Sequence, residues 1–168
     1  EKMQRLPAPR RSILFLAPTS EESGLFGSQY YCEHPVFPME KTVTCINFDC
    51  IAPAPLTRDV TILDCCESGL DNYILSAADA QGRYVVFDDD NSDGWFFRSD
   101  HWNFVRRGVP AVVIKAGKDL VNPDKPNKYP QASWYHKPND KYREDWDIEG
   151  SIANVNLMFS VGLNLPNH

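Results

Sequence analysis

The fold turns on the stretch SILFLAPTSEESGLFGSQYYCE, Ser12 to Glu33. Its first six residues, Ser12 to Ala17, are an almost wholly apolar run bounded by charge and proline, which predicts a buried strand. Ser23 to Glu33 reads as the helix that follows, so two adjacent carboxylates, Glu21 and Glu22, sit where strand gives way to helix. The alternation continues downstream. Thr42 to Phe48, Val60 to Leu63, Arg83 to Phe87 and Ala111 to Lys115 are β-branched or aromatic runs bounded by Pro, Gly or Asp, and they predict four more strands. Gly69 to Ala80, Asp100 to Arg107 and Asp147 to Leu163 fill the gaps as helices, the second stopped by Gly108. Strands separated by helices predict an α/β fold, a three-layer αβα sandwich around a mostly parallel mixed sheet. Ser12–Ala17 and Thr42–Phe48 are expected at its centre, because runs apolar on successive positions need cover on two faces. Ala52 to Arg58 and Gly117 to Pro130, both punctuated by proline, read as loops.

A chain of 168 residues is the length of one domain, and residues 1–168 are read as such. With 17 Lys and Arg against 23 Asp and Glu, the net charge is −6, and no basic cluster exceeds the pairs Arg10–Arg11 and Arg106–Arg107. Nucleic acid is excluded as a partner on that pattern. No apolar run approaches the ~18 residues of a membrane segment. The opening residues 1–11 carry no apolar stretch of the secretory kind, and the chain is expected to begin mid-protein. Five cysteines, Cys32, Cys45, Cys50, Cys65 and Cys66, lack any Cys-x-x-Cys spacing and read as buried or semi-buried thiols. The five carboxylates Asp88, Asp89, Asp90, Asp93 and, further on, Asp100 near one strand end read as a solvated loop rather than a calcium site.

Three segments carry chemistry. In TSEESGLFGS, Thr19 to Ser28, the pair Glu21–Glu22 is costly through mutual repulsion unless a cation absorbs it, or it simply favours a helix N-terminus. In CINFDC, Asp49 closes a strand whose one interior polar residue is Asn47. In SWYHKPND, His136 follows Tyr135 in a loop. An imidazole and carboxylates from three separated strand-end loops match the donor set that zinc accepts.

These residues resemble the co-catalytic di-zinc aminopeptidases, a family that includes bacterial leucyl aminopeptidases and the vacuolar aminopeptidase Y. The resemblance implies a zinc-aminopeptidase-like fold, peptide substrates with a free N-terminus, two zinc ions and a secreted or periplasmic location. It makes Glu21 the general base, Glu22, Asp49 and His136 metal ligands, and Tyr135 the phenol that steadies the transition state. The segment RSDHWNFVRRGVPAVVIKAG, Arg98 to Gly117, also resembles the family's Ser-Asp-His helix and following strand, where Asp100 and His101 support the site without binding metal. The family pattern further requires a His-x-Asp ligand segment and a bridging Asp before Asn, both ahead of the Glu-Glu pair. Neither occurs there. Asp71–Asn72 lies after that pair within an expected helix, and His34 beside Pro35 reads as a surface residue. The expectation is therefore a metallo-exopeptidase chain lacking two ligands, each zinc ion left short. Two alternatives stay open: a glutaminyl-peptide cyclotransferase-like enzyme, and a non-catalytic binding domain of the same fold. Against the cyclase, this chain has Tyr135 where cyclases have Trp, and it carries the Gly24–Ser28 continuation that their Glu-Glu segment lacks.

Overall fold

The computed structural model describes residues 11–49, 51, 53–64, 69–88, 94–130 and 133–165. Four strands form one sheet: β1 (Cys45–Asn47), β2 (Asp59–Asp64), β3 (Tyr84–Phe87) and β4 (Ala111–Ala116), in the order β1-β4-β2-β3. Four α-helices accompany it: α1 (Phe26–Glu33), α2 (Asp71–Asp79), α3 (His101–Val105) and α4 (Glu149–Asn164). Single 3-10 turns at Met39–Lys41 and Trp95–Phe97 complete the regular structure among the described residues.

Side-chain alternation along the two central strands makes the sandwich. Val60 and Ile62 of β2 and Val112 and Ile114 of β4 point to one face, where they bury with Ile74, Ala77 and Ala78 of α2 and Leu157, Met158 and Val161 of α4. The intervening residues Leu63 and Val113 face the other way, onto Phe96 and the half-buried Trp102 and Val105. Tyr31 and Cys32 of α1 extend that second layer by packing on Phe104 and Val109. Positive φ at Gly82 (66°) and Gly108 (77°) lets the chain leave α2 and α3.

β1 runs parallel to β4, β4 antiparallel to β2, and β2 parallel to β3. The mixed α/β sheet is as expected; the direction change at β4 has a functional result. β3 is antiparallel to β1, so Asp88 at the end of β3 lies on the opposite sheet edge from Asp49, and the start of α2 with Asp71–Asn72 follows β2 to that same far edge. Asp89, Asp90 and Asp93 lie outside the described residues, as do Cys50, Cys65 and Cys66.

Two placements differ from expectation. Residues 12–18 adopt no regular secondary structure, and Ile13, Leu14, Phe15 and Leu16 are exposed, Phe15 by 81%. A run apolar on both faces becomes a central strand only with ladder partners and two covering layers, and among the described residues no strand pairs with it. β1, expected centrally, is a three-residue edge strand with half-buried side chains. Its ladder to β4 stops at Asn47↔Val113 while β4 continues to Ala116, which leaves the last turn of β4 uncovered on that side. The predicted loops clip to each other: Thr57 bridges Leu120, and the Arg58 guanidinium reaches Asp119 Oδ1 at 2.9 Å and the Leu120 carbonyl at 2.6 Å.

Candidate active site

The Glu21–Glu22 segment is a tight knot at the head of α1. The Gly24 and Leu25 amides donate to the Glu21 carbonyl, the Phe26 amide to Ser20, and the Gly27 amide to Thr19 at 3.0 Å. Gly27 is obligatory there, since a Cβ would stand 2.3 Å from the Thr19 carbonyl oxygen. This close approach, rather than flexibility, accounts for the glycine in GLFGS. Asn103 of α3 pins the knot by donating to the Leu25 carbonyl and to Ser28 Oγ, at 3.1 and 2.9 Å. Ser20 (56°), Leu25 (60°) and His136 (55°) are the non-glycine residues with positive φ among the described residues. Left-handed backbone costs a side chain about 1 kcal/mol or more, and all three instances fall in the two segments that carry Glu21, Glu22 and His136.

Those segments meet. His136 Nε2 lies 2.6 Å from Glu22 Oε1, joining residues 114 positions apart, with both side chains more than half exposed. The Tyr135 ring stacks on the His136 imidazole at 3.9 Å, and Trp95 stands 6.3 Å from Tyr135. Glu21 is half-buried, and its carboxyl is raised first by burial, then by the charges of Asp49, Glu22 and Asp100, with His136 opposing. Four carboxylates and one imidazole thus share one field. Asp49 enters from the end of β1, whose Asn47 amide donates to Ser99 Oγ at 2.7 Å and to His101 Nδ1 at 3.3 Å.

Behind this cluster lie a buried imidazole and a half-buried carboxyl of unusual status. His101 is fully buried, and burial lowers its imidazole to about 4, so the ring is neutral. With Nδ1 accepting from Asn47, the proton sits on Nε2, which has no well-formed side-chain partner, and an interaction with the Phe96 backbone opposes the burial by favouring the cation. Asp100 is raised by burial, held back by a hydrogen bond from Ser28 and raised again by Asp49, and its Oδ1 is likewise unpartnered.

Glu22 and His136 are donors of the type zinc takes, and Asp49 acts on Glu21 through its charge. Among the described residues, however, no group of three His, Cys, Asp or Glu side chains is gathered closely enough to hold an ion. A catalytic zinc uses three protein ligands and an open position, so the side chains as placed do not fit one by themselves. His34 is exposed, stacked on Tyr30 at 4.4 Å. Cys32 is buried and Cys45 half-buried, both free thiols as read from the sequence. Trp95 and Lys115, which line the space beside Asp49, were not singled out by sequence pattern; Ser99 came in with the Ser-Asp-His segment, and Asn47 gave a signal as a polar residue inside an apolar strand. No helix among the described residues is long and apolar enough to cross a membrane.

The sequence profile of peptidase family M28 matches residues 2–160. No curated protein gives a significant match. Among solved structures, LapA from Legionella pneumophila aligns over 90% of this chain at 17% identity and a TM-score of 0.59, and the aminopeptidase of Aneurinibacillus sp. strain AM-1 over 86% at 20% identity and 0.54. A second structure of the LapA aminopeptidase aligns over 89% at 17% identity and 0.54. The chain spans 39%, 31% and 38% of those chains.

Proposed function

From the premise that this chain belongs to peptidase family M28, we propose that it carries the base and part of the metal shell of an exopeptidase that cleaves N-terminal peptide bonds. The observation that carries the reading is the meeting of Glu22 with His136 across 114 residues, with Glu21 in the combined field of Asp49, Glu22 and Asp100. Zinc, when bound to a complete shell, would supply an acidified water and a polarised carbonyl. Glu22, Asp49 and His136 are this chain's contribution to that shell. They fall short of it, and no step is assigned through a metal.

The chain's own groups have definable tasks. Glu21, half-buried and beside the donors, takes a proton from the attacking water and delivers it to the departing amine. Tyr135, fixed by its stack on His136, presents its phenol to the developing oxyanion. The excess of carboxylates attracts the substrate's terminal ammonium. Because no His-x-Asp or Asp-Asn segment precedes Glu21 in these 168 residues, the isolated chain is a weak zinc binder and a slow enzyme.

The test is hydrolysis of a panel of aminoacyl chromogenic anilides with zinc, by the 168-residue chain and by a longer polypeptide that adds His-x-Asp and Asp-Asn segments ahead of it. The longer form should turn over, and Glu21→Gln should lower its kcat on the order of 10²-fold or more. Equal turnover by both forms would remove the account of an incomplete shell. Unchanged turnover in Glu21→Gln would remove the base. Cyclisation of glutaminyl peptides without anilide hydrolysis would assign the chain to the cyclase class instead.

A further inference from the structure

A cavity of about 310 Å3 opens directly beside the candidate site. Asp49 belongs to both, and Trp95, on the cavity wall, is the neighbour of Tyr135. The cavity exists because β1 ends at Asn47 while β4 runs on, so that Ile114, Lys115 and Ala116 line a gap that no strand fills among the described residues. Ala54, Leu63, Val113 and Val155 give it apolar walls. One charged group in it is unmatched. Lys115 is the one cationic residue among the described residues lining it, its ammonium lying 4.7 Å above the Trp95 ring with no ion pair among the described residues. His101 lies in the wall too, but its ring is fully buried and presents no exposed donor to the cavity.

Resting on the proposed exopeptidase reading, we infer that this cavity receives the side chain of the substrate's N-terminal residue and selects an acidic one, with Lys115 as its charge partner. The electrostatics are divided to suit. Glu21, Glu22 and Asp100 stand in the site, where a terminal ammonium belongs, Asp49 lies where site and cavity join, and the one cationic residue among the described cavity lining is Lys115. An amino acid whose amine rests at the carboxylates directs its side chain, from the same Cα, into the adjoining space. A carboxylate there pairs with the Lys115 ammonium through a charge-assisted bond. An aliphatic side chain gains the apolar walls but strips water from Lys115 without replacing it. A carboxamide offers Lys115 an oxygen without the charge, and a basic side chain is repelled. The expected order is acidic, then amide, then aliphatic, then basic.

Binding to the 168-residue chain, measured with chelator present so that turnover plays no part, tests this. The probes are the α-amides of glutamic acid, glutamine, leucine and lysine, titrated by NMR with the Trp95 indole and the Lys115 amide as reporters. Glutamic acid α-amide should bind about tenfold or more tightly than leucinamide. Lys115→Arg should keep that preference, Lys115→Met erase it, and Lys115→Glu turn it toward lysinamide, each variant having the wild-type thermal transition. Equal affinity for the glutamic and leucine amides, a preference that survives Lys115→Glu, or no response of Trp95 to any amide would overturn the inference. Discrimination by this chain without anilide hydrolysis by the longer polypeptide would sink the exopeptidase reading and leave an acid-selective cavity; hydrolysis by the longer polypeptide without discrimination would do the reverse.

Discussion

Acidification should unfold this protein partly through one residue, His101. The ring is fully buried between Asn47 and Phe96, with ring centroids 4.6 Å apart in an edge contact to Phe96, and its folded-state value of about 4 lies below the ordinary 6.5. Between those values the unfolded chain binds a proton that the folded chain refuses. A base whose folded value is depressed is stabilising above 6.5, and that contribution is lost as pH falls toward 4. The interval of 2.5 units, at about 1.36 kcal/mol per unit, sets the total loss near 3 kcal/mol, of which about 2 kcal/mol is gone by pH 5. That is a large part of the ~5–15 kcal/mol available to a domain. Glu21 and Asp100, whose carboxyls are raised, act with the opposite sign, their contributions growing as pH falls. The assay must therefore be a difference: urea unfolding of wild type and His101→Gln at steps from pH 7.5 to 4.5, subtracting one stability from the other at each pH. The gap should narrow on acidification with a slope approaching ~1.4 kcal/mol per unit below pH 6. A difference constant to within ~0.5 kcal/mol across that range, or an NMR titration of the His101 ring near 6.5 in the folded state, would refute the reasoning.

Arg83, almost fully buried, donates to the Thr57 and Asp59 carbonyls, to Thr57 Oγ1, and to Asn154 and Gln81, stitching β2 and β3 to α4; Arg83→Leu should cost on the order of 3–5 kcal/mol in urea unfolding by leaving those acceptors unpaired, and a cost under ~1 kcal/mol would dismiss the network. Gly117→Ala would place a methyl 2.0 Å from Asp59 Oδ1, which accepts from the Asp119 amide while Oδ2 accepts from Lys118, so a loss of about 2–4 kcal/mol in the same assay is expected, and an unchanged midpoint would show that Asp59 yields freely. Gly150→Ala meets the Pro55 carbonyl at 2.3 Å and should similarly lower the thermal midpoint, by several degrees, through the α4 entry; equal melting of variant and wild type would count against the contact.

The eight principal elements were legible because each is a β-branched run or an amphipathic stretch closed by Gly, Pro or Asp, and local chemistry determines where such runs begin and end. Val60–Leu63 and Ala111–Lys115 each came out within a residue or two of β2 and β4. Strand direction was not legible: nothing in VTIL or AVVIK tells whether the chain enters from one edge or the other, and the antiparallel β2–β4 pairing is decided by connections remote from both. Nor was position within the sheet, since the apolarity of Ser12–Ala17 states a need for partners without supplying them. The contact of Glu22 with His136 followed from recognisable motifs, whereas the roles of Trp95 and Lys115 depend on where β1 stops, a tertiary fact with no local signature.

The Glu22–His136 contact closes a loop of 114 residues. Closing such a loop from an unfolded chain costs, by the (3/2)RT ln n scaling, about 4 kcal/mol, whereas an ion pair as exposed as this one returns roughly 0–1 kcal/mol. The pair cannot gather its own loops. It forms only after β1–β4 pairing and the packing of α1 on α3 have already brought the two segments together, so during folding the chemistry is the last thing to appear and on local opening the first to go. The hydrophobic layers set the stability of this protein, and the cluster of charge at its edge exists on loan from them.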